Sequence, residues 1–266
     1  MKNNKDKRKI EKQIGEIEGR ARVLSDFQLK FVAFIAFSWS LFQLWYASPL
    51  PFLLGFGVFI DLPARAIHLG FALFLVFLSY PFLKSNRFKK FNIFSVFLSL
   101  LGLTSTFYIF FDYHGLVDRN GILLDYDLIL FNTLFKIPVE LLIGLIGICL
   151  LLEATRRSIG LPLVIVAIIF YFYSFFGQIM PEIISHQGLS FNRLVGYHWF
   201  GSEAIFGIPI SVSVSFVFLF VLFGSMLDYA GGGRYFLSLA IALVGHLKGG
   251  PAKASILASG LTGMVS

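Results

Sequence analysis

Six hydrophobic runs, each about twenty residues long, alternate with polar segments along the chain. A helix of about 20 residues crosses the roughly 30 Å hydrocarbon core of a bilayer, because each residue adds about 1.5 Å. The runs therefore predict six transmembrane helices. A shorter apolar stretch, Pro51–Ile60, contains glycines and is bounded by prolines, so it predicts an interfacial loop. The predicted spans are Phe31–Leu50, Ala64–Leu83, Phe91–Phe111, Leu134–Leu152, Leu161–Met180 and Ala204–Leu227.

Residues 1–26 are highly charged but follow a helical pattern. Their apolar residues recur every three or four positions, which places them on one face of a helix. The pattern predicts a cytoplasmic amphipathic helix that lies on the membrane surface or packs against a partner. A solvated helix without a special role fits the same pattern. The apolar positions are Ile10, Ile14, Ile17, Ala21 and Leu24.

Two further amphipathic segments predict interfacial helices. The first, Leu189–Phe200, carries Phe191, Tyr197 and Trp199, and aromatic residues of this kind are typical of the membrane interface. The second follows three glycines at 231–233 and leads into the terminal segment. We expect it to be either a lever along the membrane surface or a short connector in the headgroup region.

The terminal segment, residues 251–266, is apolar and rich in small residues. As a helix it would reach about 24 Å, which is too short to cross the hydrocarbon core. Segments that enter a membrane without crossing it allow transporters to place irregular backbone around a solute. The sequence therefore predicts an all-α integral membrane protein with about six transmembrane helices, interfacial amphipathic helices and the start of a re-entrant hairpin.

The composition agrees with a membrane protein. Hydrophobic residues make up 57% of the chain, charged residues make up 14%, and the mean hydropathy is +0.80. Soluble domains carry about 25% charged residues. Because the net charge of +7 comes mostly from one set of loops, we expect the lipid bilayer, and not nucleic acid, as the partner of the basic residues.

The distribution of basic residues predicts the orientation of the chain. With six crossings, 18 of the 22 lysines and arginines fall on the side of the N-terminus. Because basic residues concentrate in cytoplasmic loops, this predicts a multi-pass protein with a cytoplasmic N-terminus. The four basic residues on the other side are Arg65, Arg119, Lys136 and Arg193.

The sequence lacks the common catalytic motifs. It has no Gly-Lys-Ser/Thr phosphate loop, no zinc-protease helix and no Gly-x-Ser-x-Gly elbow. Its five histidines do not show metal-binding spacing. We therefore expect a protein that is not an enzyme and that holds no organic cofactor.

Four charged or titratable residues lie near the ends of predicted spans. Arg65 and His68 open the second span, and Lys136 and Glu140 open the fourth. Such groups within a bilayer are often functional, but near a span end they can extend to the interface. We expect interfacial positions for all four, with Lys136 and Glu140 paired one helical turn apart.

Two more local patterns predict structural roles. Glu153 lies three and four residues before Arg156 and Arg157, a spacing that predicts ion pairs at the inner end of the fourth span. In the sixth span Ser211 and Ser215 form a small-residue face that favours close helix packing, and an early proline predicts a kink.

The terminal segment concentrates hydroxyl groups and glycines. Sodium binds several oxygen ligands, which unwound backbone carbonyls and Ser or Thr hydroxyls can supply. This predicts part of a sodium site. A packing helix rich in small residues is the alternative. The predicted sodium ligands are Ser259, Gly260, Thr262, Gly263 and Ser266.

Three stretches resemble a known transporter family. Gly245–Ser266, GHLKGGPAKASILASGLTGMVS, resembles the start of the first re-entrant hairpin in the large membrane subunit of TRAP (tripartite ATP-independent periplasmic) transporters. Glu153–Pro162, EATRRSIGLP, and Glu203–Gly224, EAIFGIPISVSVSFVFLFVLFG, resemble the fused permeases of the TAXI subfamily. The resemblance covers most of residues 150–266, and over residues 1–150 it rests on the layout of the elements.

The resemblance implies a domain layout and a function. After the helix of residues 1–26, residues 27–157 would form a four-helix small-subunit-like membrane domain, and residues 158–266 the truncated start of the large transport domain. The protein would be a sodium-coupled elevator-type importer of organic acids such as carboxylates. It would lie in the bacterial inner membrane and receive its solute from a periplasmic TAXI-type substrate-binding protein.

The sequence departs from the family pattern at its end. In the family the hairpin continues through a Gly-Ser-Ser tip to further helices, a second hairpin and the substrate-binding residues. We therefore expect an N-terminal fragment that does not transport alone. The alternative is a complete six-span scaffold or assembly protein without transport activity of its own.

Overall fold

The computed structural model describes residues 22, 24–82, 92–119, 122–130 and 133–263, and for residues 126–130 and 133–137 it describes the backbone. These residues are mostly helical, which confirms the all-α fold class. The first seven helical elements are α1 Asp26–Ala47, α2 Leu50–Leu54, α3 Asp61–Ser79, α4 Ile93–Phe111, α5 Tyr113–Asp118, α6 Val139–Ser158 and α7 Leu161–Phe175. The later ones are α8 Phe191–Val195, α9 Ile208–Tyr229, α10 Gly232–Val244 and α11 Gly250–Gly263.

Within the described part of the chain, four helices are long and apolar enough to cross a membrane: α1, α3, α4 and α9. The other two predicted spans correspond to α6 and α7. Helix α6 has 20 residues but carries acidic or basic side chains at both ends. Helix α7 has 15 residues, or about 22 Å, and gives way to two 3-10 turns, Gly177–Ile179 and Glu182–Ile184.

The start of the fourth span was predicted wrongly. A short antiparallel hairpin, β1 Tyr126–Leu130 and β2 Thr133–Ile137, occupies the chain where the span was expected to begin. The helix starts at Val139, directly after Pro138. A proline disfavours helical backbone in the residue before it, so the chain stays extended up to Ile137.

The N-terminal prediction lies largely outside the described residues, because the structure describes no residue before Arg22. Helix α1 begins at Asp26, five residues before the predicted start of the first span. The backbone N–H of Ser25 donates to the side-chain oxygen of Gln28 at 3.1 Å, and this cap fixes the start of the helix.

The main core lies between α3, α4, α6 and the segment before α9. Close packing of α3 on α4 depends on glycine: a Cβ on Gly102 would lie 3.3 Å from Leu73, and Phe77 packs beside it. Thirteen described residues make up the core: Leu62, Ala66, Leu69, Leu73, Phe77, Ile109, Ile148, Leu150, Ala154, Val195, Trp199, Phe200 and Phe206.

Trp199 is not an interfacial aromatic as the sequence suggested. Its side chain is fully buried, and its ring packs where Gly147 has no side chain; a Cβ there would lie 2.1 Å from the ring. The indole N–H donates to the carbonyl of Ser105 at 3.3 Å. The predicted interfacial helix is instead a short α8 followed by a π turn, Gly196–Phe200, which turns Trp199 towards α6. Tyr197 and Phe191 remain about half exposed.

A second, smaller core joins α10 and α11. It consists of Ala240 from α10 and Ala254 and Ala258 from α11, with Val244 packed against them. Glycines in the left-handed region lie before each helix, Gly231 with φ of 90° and Gly249 with φ of 73°. The two helices therefore form a hairpin whose contact surface is built from small residues.

Helix ends that were predicted to lie on the same side of the membrane are in contact. The backbone N–H of Arg22 donates to the carbonyl of Ser79 at 2.7 Å, and its guanidinium donates to Ser95 at 3.2 Å. At the other end, Arg65 near the start of α3 reaches the segment before α9. The predicted alternation of helix ends between the two sides of the membrane fits this packing, and the orientation relative to the cytoplasm stays a prediction.

The domain boundary at 157/158 also stays a prediction, since the main core extends across it to Phe206.

Candidate functional site

The predicted sodium ligands lie on α11, apart from Ser266, which is outside the described residues. Helix α11 runs without a break from Gly250 to Gly263, so the predicted unwinding is not seen within it. Its Ala254 and Ala258 face α10, and a stripe of hydroxyl residues lies beside them. Ser259 on that stripe is exposed, and a Cβ on Gly260 would meet no atom within 4 Å. The described residues of α11 therefore do not surround an ion by themselves.

One predicted ligand, Thr262, lines a cavity of about 350 Å³ between α9, α10 and α11. The same cavity is lined by Asp228 and Ser225 of α9, which the sequence analysis did not select. Thr262 donates its hydroxyl proton to the carbonyl of Ala258 at 2.9 Å, and Ser225 donates to Leu222 at 2.8 Å. A hydroxyl that donates to the backbone keeps its oxygen lone pairs for another partner. The cavity thus combines a carboxylate with two hydroxyl oxygens.

A buried polar cluster joins α1, α3 and α9 within the membrane-spanning region. The side-chain amide of Gln43 lies 2.7 Å from Nδ1 of His68, and the indole N–H of Trp39 donates to the same nitrogen at 3.2 Å. On its other side, Nε2 of His68 lies 3.1 Å from the hydroxyl of Ser213. His68 was expected at the interface, and this expectation is wrong: it is 7% exposed and hydrogen-bonded to two other helices.

The π turn in α9 places Ser213 and Val214 in this cluster. Residues 213–217 form one π turn between α-helical residues 208–212 and 218–229. A π turn disturbs the regular pairing of backbone carbonyls and is common at functional positions. Here the amide of Gln43 donates to the carbonyl of Val214 at 3.4 Å. The predicted pair Ser211 and Ser215 bonds within α9 instead, since Ser215 donates to the Ser211 carbonyl at 2.8 Å.

Arg65 holds the start of α3 against the segment before α9. Its guanidinium donates to the carbonyl of Phe206 at 2.8 Å and to the carboxylate of Asp61 at 3.2 Å. The side chain is 14% exposed, so Arg65 is a contact between segments and not a freely solvated group.

Lys136 and Glu140 are not one helical turn apart, as was predicted, because Lys136 lies in β2 and α6 begins at Val139. The side chain of Lys136 is outside the described part of the structure, so the pairing itself stays a prediction. The fully buried Glu140 accepts hydrogen bonds from Arg119, from the Tyr108 hydroxyl at 2.9 Å, and from the backbone N–H of Leu124 at 2.6 Å. Arg119 also donates to Asp112 at 2.5 Å. The neighbouring carboxylates raise the pKa of Arg119, although burial acts in the opposite direction.

The predicted ion pairs at the other end of α6 are confirmed. Glu153 accepts hydrogen bonds from Arg156 and Arg157, each at 2.7 Å through the guanidinium Nε. Arg157 is fully buried and stacks on the rings of Phe77 and Phe82 at 4.9 and 5.4 Å.

The sequence analysis missed Gln43, Trp39 and Asp228. A polar residue in an otherwise apolar span is the signal that would have selected Gln43. Trp39 carries no such signal because a tryptophan is largely apolar and fits the middle of a hydrophobic run, and Asp228 carries none because an aspartate at a helix end is ordinary at an interface.

Fold and site together define a polytopic helical membrane protein with polar groups buried between its spans. The comparisons with known proteins add a similarity over less than half of the chain. Residues 146–266 match the family described as "Tripartite ATP-independent periplasmic transporter, DctM component". This match supports a membrane permease component of a TRAP transporter, and it points to a transporter and not an enzyme. No curated protein and no solved structure matches the chain.

Proposed function

We propose that the chain is the membrane permease component of a TRAP transporter that uses a sodium gradient to import organic acids such as carboxylates. The observation that carries the proposal is the family match over residues 146–266, which includes α7, α9 and the α10–α11 hairpin. A tripartite transporter also requires a periplasmic substrate-binding protein, for which we propose one of the TAXI type.

The two separate cores support a model in which one part of the protein stays fixed during transport and another part moves. The main core ties α3, α4 and α6 to the segment before α9 through large side chains. The α10–α11 hairpin has a core of its own and begins at a glycine in the left-handed region. We infer that the main bundle is the scaffold and that the hairpin begins the part that moves with the solute.

The cavity around Asp228 supports sodium as the coupling ion. Sodium is a hard cation that prefers oxygen ligands, and the cavity offers the carboxylate of Asp228 and the hydroxyls of Ser225 and Thr262. Ser259 and Gly263 lie on the same helix as Thr262, one turn from it or next to it. We propose that sodium binds in this cavity and that the predicted hairpin residues contribute ligands from α11.

Transport is tested in proteoliposomes that contain the purified protein, with a TAXI-type binding protein and radiolabelled carboxylates outside. If the proposal is correct, uptake requires an inward sodium gradient and stops when potassium replaces sodium. Uptake that is independent of both sodium and binding protein would contradict the proposal.

The continuous helix α11 favours the second candidate, a six-span scaffold or assembly protein, because a helix without a break needs no ion to complete it. This candidate predicts no uptake of any carboxylate and no effect of Ser259→Ala or Gly263→Val. The transporter predicts that both substitutions weaken sodium-dependent uptake.

A further inference from the structure

A basic cavity of about 300 Å³ lies at the corner where α3 and α6 end and α7 begins. Pro81 and Phe82 line it after α3, and Arg156 and Arg157 line it from the last turn of α6. The remaining wall is the first turn of α7. The corner is at the opposite end of the bundle from the Glu140 cluster, because these residues lie at the other end of α6.

The charges at this corner do not cancel. Glu153 is bonded to both Arg156 and Arg157, so one carboxylate faces two guanidinium groups. The Nη2 atom of Arg157 has no hydrogen-bond partner among the described residues, although the side chain is fully buried. Among the described residues that line the cavity or bond to them, the corner therefore carries more positive than negative charge.

The first turn of α7 adds one backbone donor to the same cavity, the N–H of Leu161, because Pro162 has no N–H. The N–H groups in the first turn of a helix have no partner within it, and together with the helix dipole they attract anions. The N–H of Gly160, which precedes α7, donates to the carbonyl of Thr155 at 3.1 Å. Two arginines and a helix N-terminus thus meet at one cavity, and this combination is typical of a phosphate site.

The surface next to the cavity is apolar. Phe82, Leu161 and Leu163 are each at least half exposed. Of the fifteen residues of α7, all of which the structure describes, Val164 is the one that is buried. A free phosphate would gain nothing from this surface, whereas an acyl chain would cover it.

We propose that this cavity binds the headgroup of an anionic phospholipid. Arg156 and the backbone N–H of Leu161 hold the phosphate oxygens, and the acyl chains lie along the exposed face of α7. Basic pockets between transmembrane helices are suited to such headgroups. The proposal does not depend on transport, and it holds for a scaffold as well as for a permease.

The test is a lipid titration of the detergent-purified protein followed by native mass spectrometry. Phosphatidylglycerol should bind about fivefold more tightly than phosphatidylcholine, because each basic residue near a membrane surface favours anionic lipid by about this factor. Arg156→Gln should reduce the preference below about twofold. Arg156 is the better choice for substitution because it is partly exposed, at 28%, whereas Arg157 is fully buried.

Two further arms separate the alternatives. Arg234→Gln removes an exposed arginine of α10 and should leave the lipid preference unchanged, whereas Arg156→Lys keeps the charge and should retain part of it. Equal binding of the two lipids by the unmodified protein, or an unchanged preference in Arg156→Gln, would overturn the proposal. Displacement of phosphatidylglycerol by inorganic phosphate at about millimolar concentration would overturn it too, because it would show a site for soluble anions.

Discussion

The main bundle, which consists of α3, α4, α6 and the segment before α9, is packed with different side chains from those of the α10–α11 hairpin. In the bundle, Trp199, Phe77 and Phe206 are fully buried, and buried polar groups connect the helices. In the hairpin, the buried contact consists of alanines. Because lipid is as apolar as a protein interior, helix association in a membrane depends on van der Waals packing and hydrogen bonds. The bundle therefore has many sources of stability, and the hairpin has few.

The difference indicates which region can move. A large side chain that fills a matching gap resists displacement, since a shift leaves a void or a clash. An alanine surface can slide with a smaller penalty, and the glycines at 231 and 249 give the backbone freedom at the start of each hairpin helix. We expect substitutions to destabilise the bundle strongly and the hairpin weakly, and we expect sodium to act on the hairpin.

The largest effect is expected at the buried carboxylate of the bundle. Glu140→Ala should lower the free energy of unfolding by about 3 kcal/mol, because it removes the buried carboxylate that accepts from Arg119 and leaves the Leu124 N–H without its acceptor. Chemical unfolding in detergent micelles measures this change.

Glu182→Ala is the control for Glu140→Ala. Glu182 is exposed on a 3-10 turn, and its substitution should change stability by less than about 0.5 kcal/mol. If both variants unfold at the same denaturant concentration as the original protein, the Glu140 cluster is not a source of stability in the bundle.

A pair of glycines compares the two regions directly. Gly147→Ala should destabilise by about 2 to 3 kcal/mol, because the new Cβ would lie 2.1 Å from the buried ring of Trp199. Gly260→Ala in α11 adds the same methyl group where nothing lies within 4 Å, and it should be neutral or stabilise by up to about 1 kcal/mol. Equal costs at the two positions would show that the bundle is not packed more tightly than the hairpin.

Hydrophobic runs were sufficient to predict the long helices, but the start of α6 and the burial of Trp199 depended on other residues. Helix α6 begins only after Pro138, and the residues before it form a β-hairpin that the hydrophobic pattern did not predict. Tryptophan is a residue type that is common at the membrane interface, so Trp199 was predicted to lie there. Its burial depends on Gly144 and Gly147 in a helix about fifty residues earlier, and a local pattern does not contain that information.

The polar clusters show the same limit. Local spacing correctly predicted that Glu153 pairs with Arg156 and Arg157, because all three lie on one helix. Local spacing did not predict that Glu140 pairs with Arg119, which lies 21 residues earlier in the chain. Which distant polar groups come together depends on the tertiary structure, and local sequence spacing does not contain this information.

A smaller effect is expected where the bundle meets α9. Ser213→Ala should destabilise by about 1 kcal/mol, because it removes the hydrogen bond between the Ser213 hydroxyl and His68. Ser225→Ala in the same helix is the matched control, since its hydroxyl bonds to the carbonyl of Leu222 within α9. In sodium-free buffer it should cost less than about 0.5 kcal/mol. A loss for Ser225→Ala as large as that for Ser213→Ala would remove the argument that the buried cluster holds α9.

The smallest effect on folding, and the most specific one, is expected at Asp228. Asp228→Asn should leave stability in potassium chloride within about 0.5 kcal/mol of the original protein, because the residue is exposed. Sodium at ten times its dissociation constant should stabilise the original protein by about 1.4 kcal/mol, since binding to the folded state alone adds RT ln(1 + [L]/Kd). Asp228→Asn should lose most of this increment, whereas Asp118→Asn, an exposed aspartate on α5, should retain it. A sodium response that is equal in all three proteins would place the ion elsewhere, and the hairpin would then differ from the bundle in packing but not in ion binding.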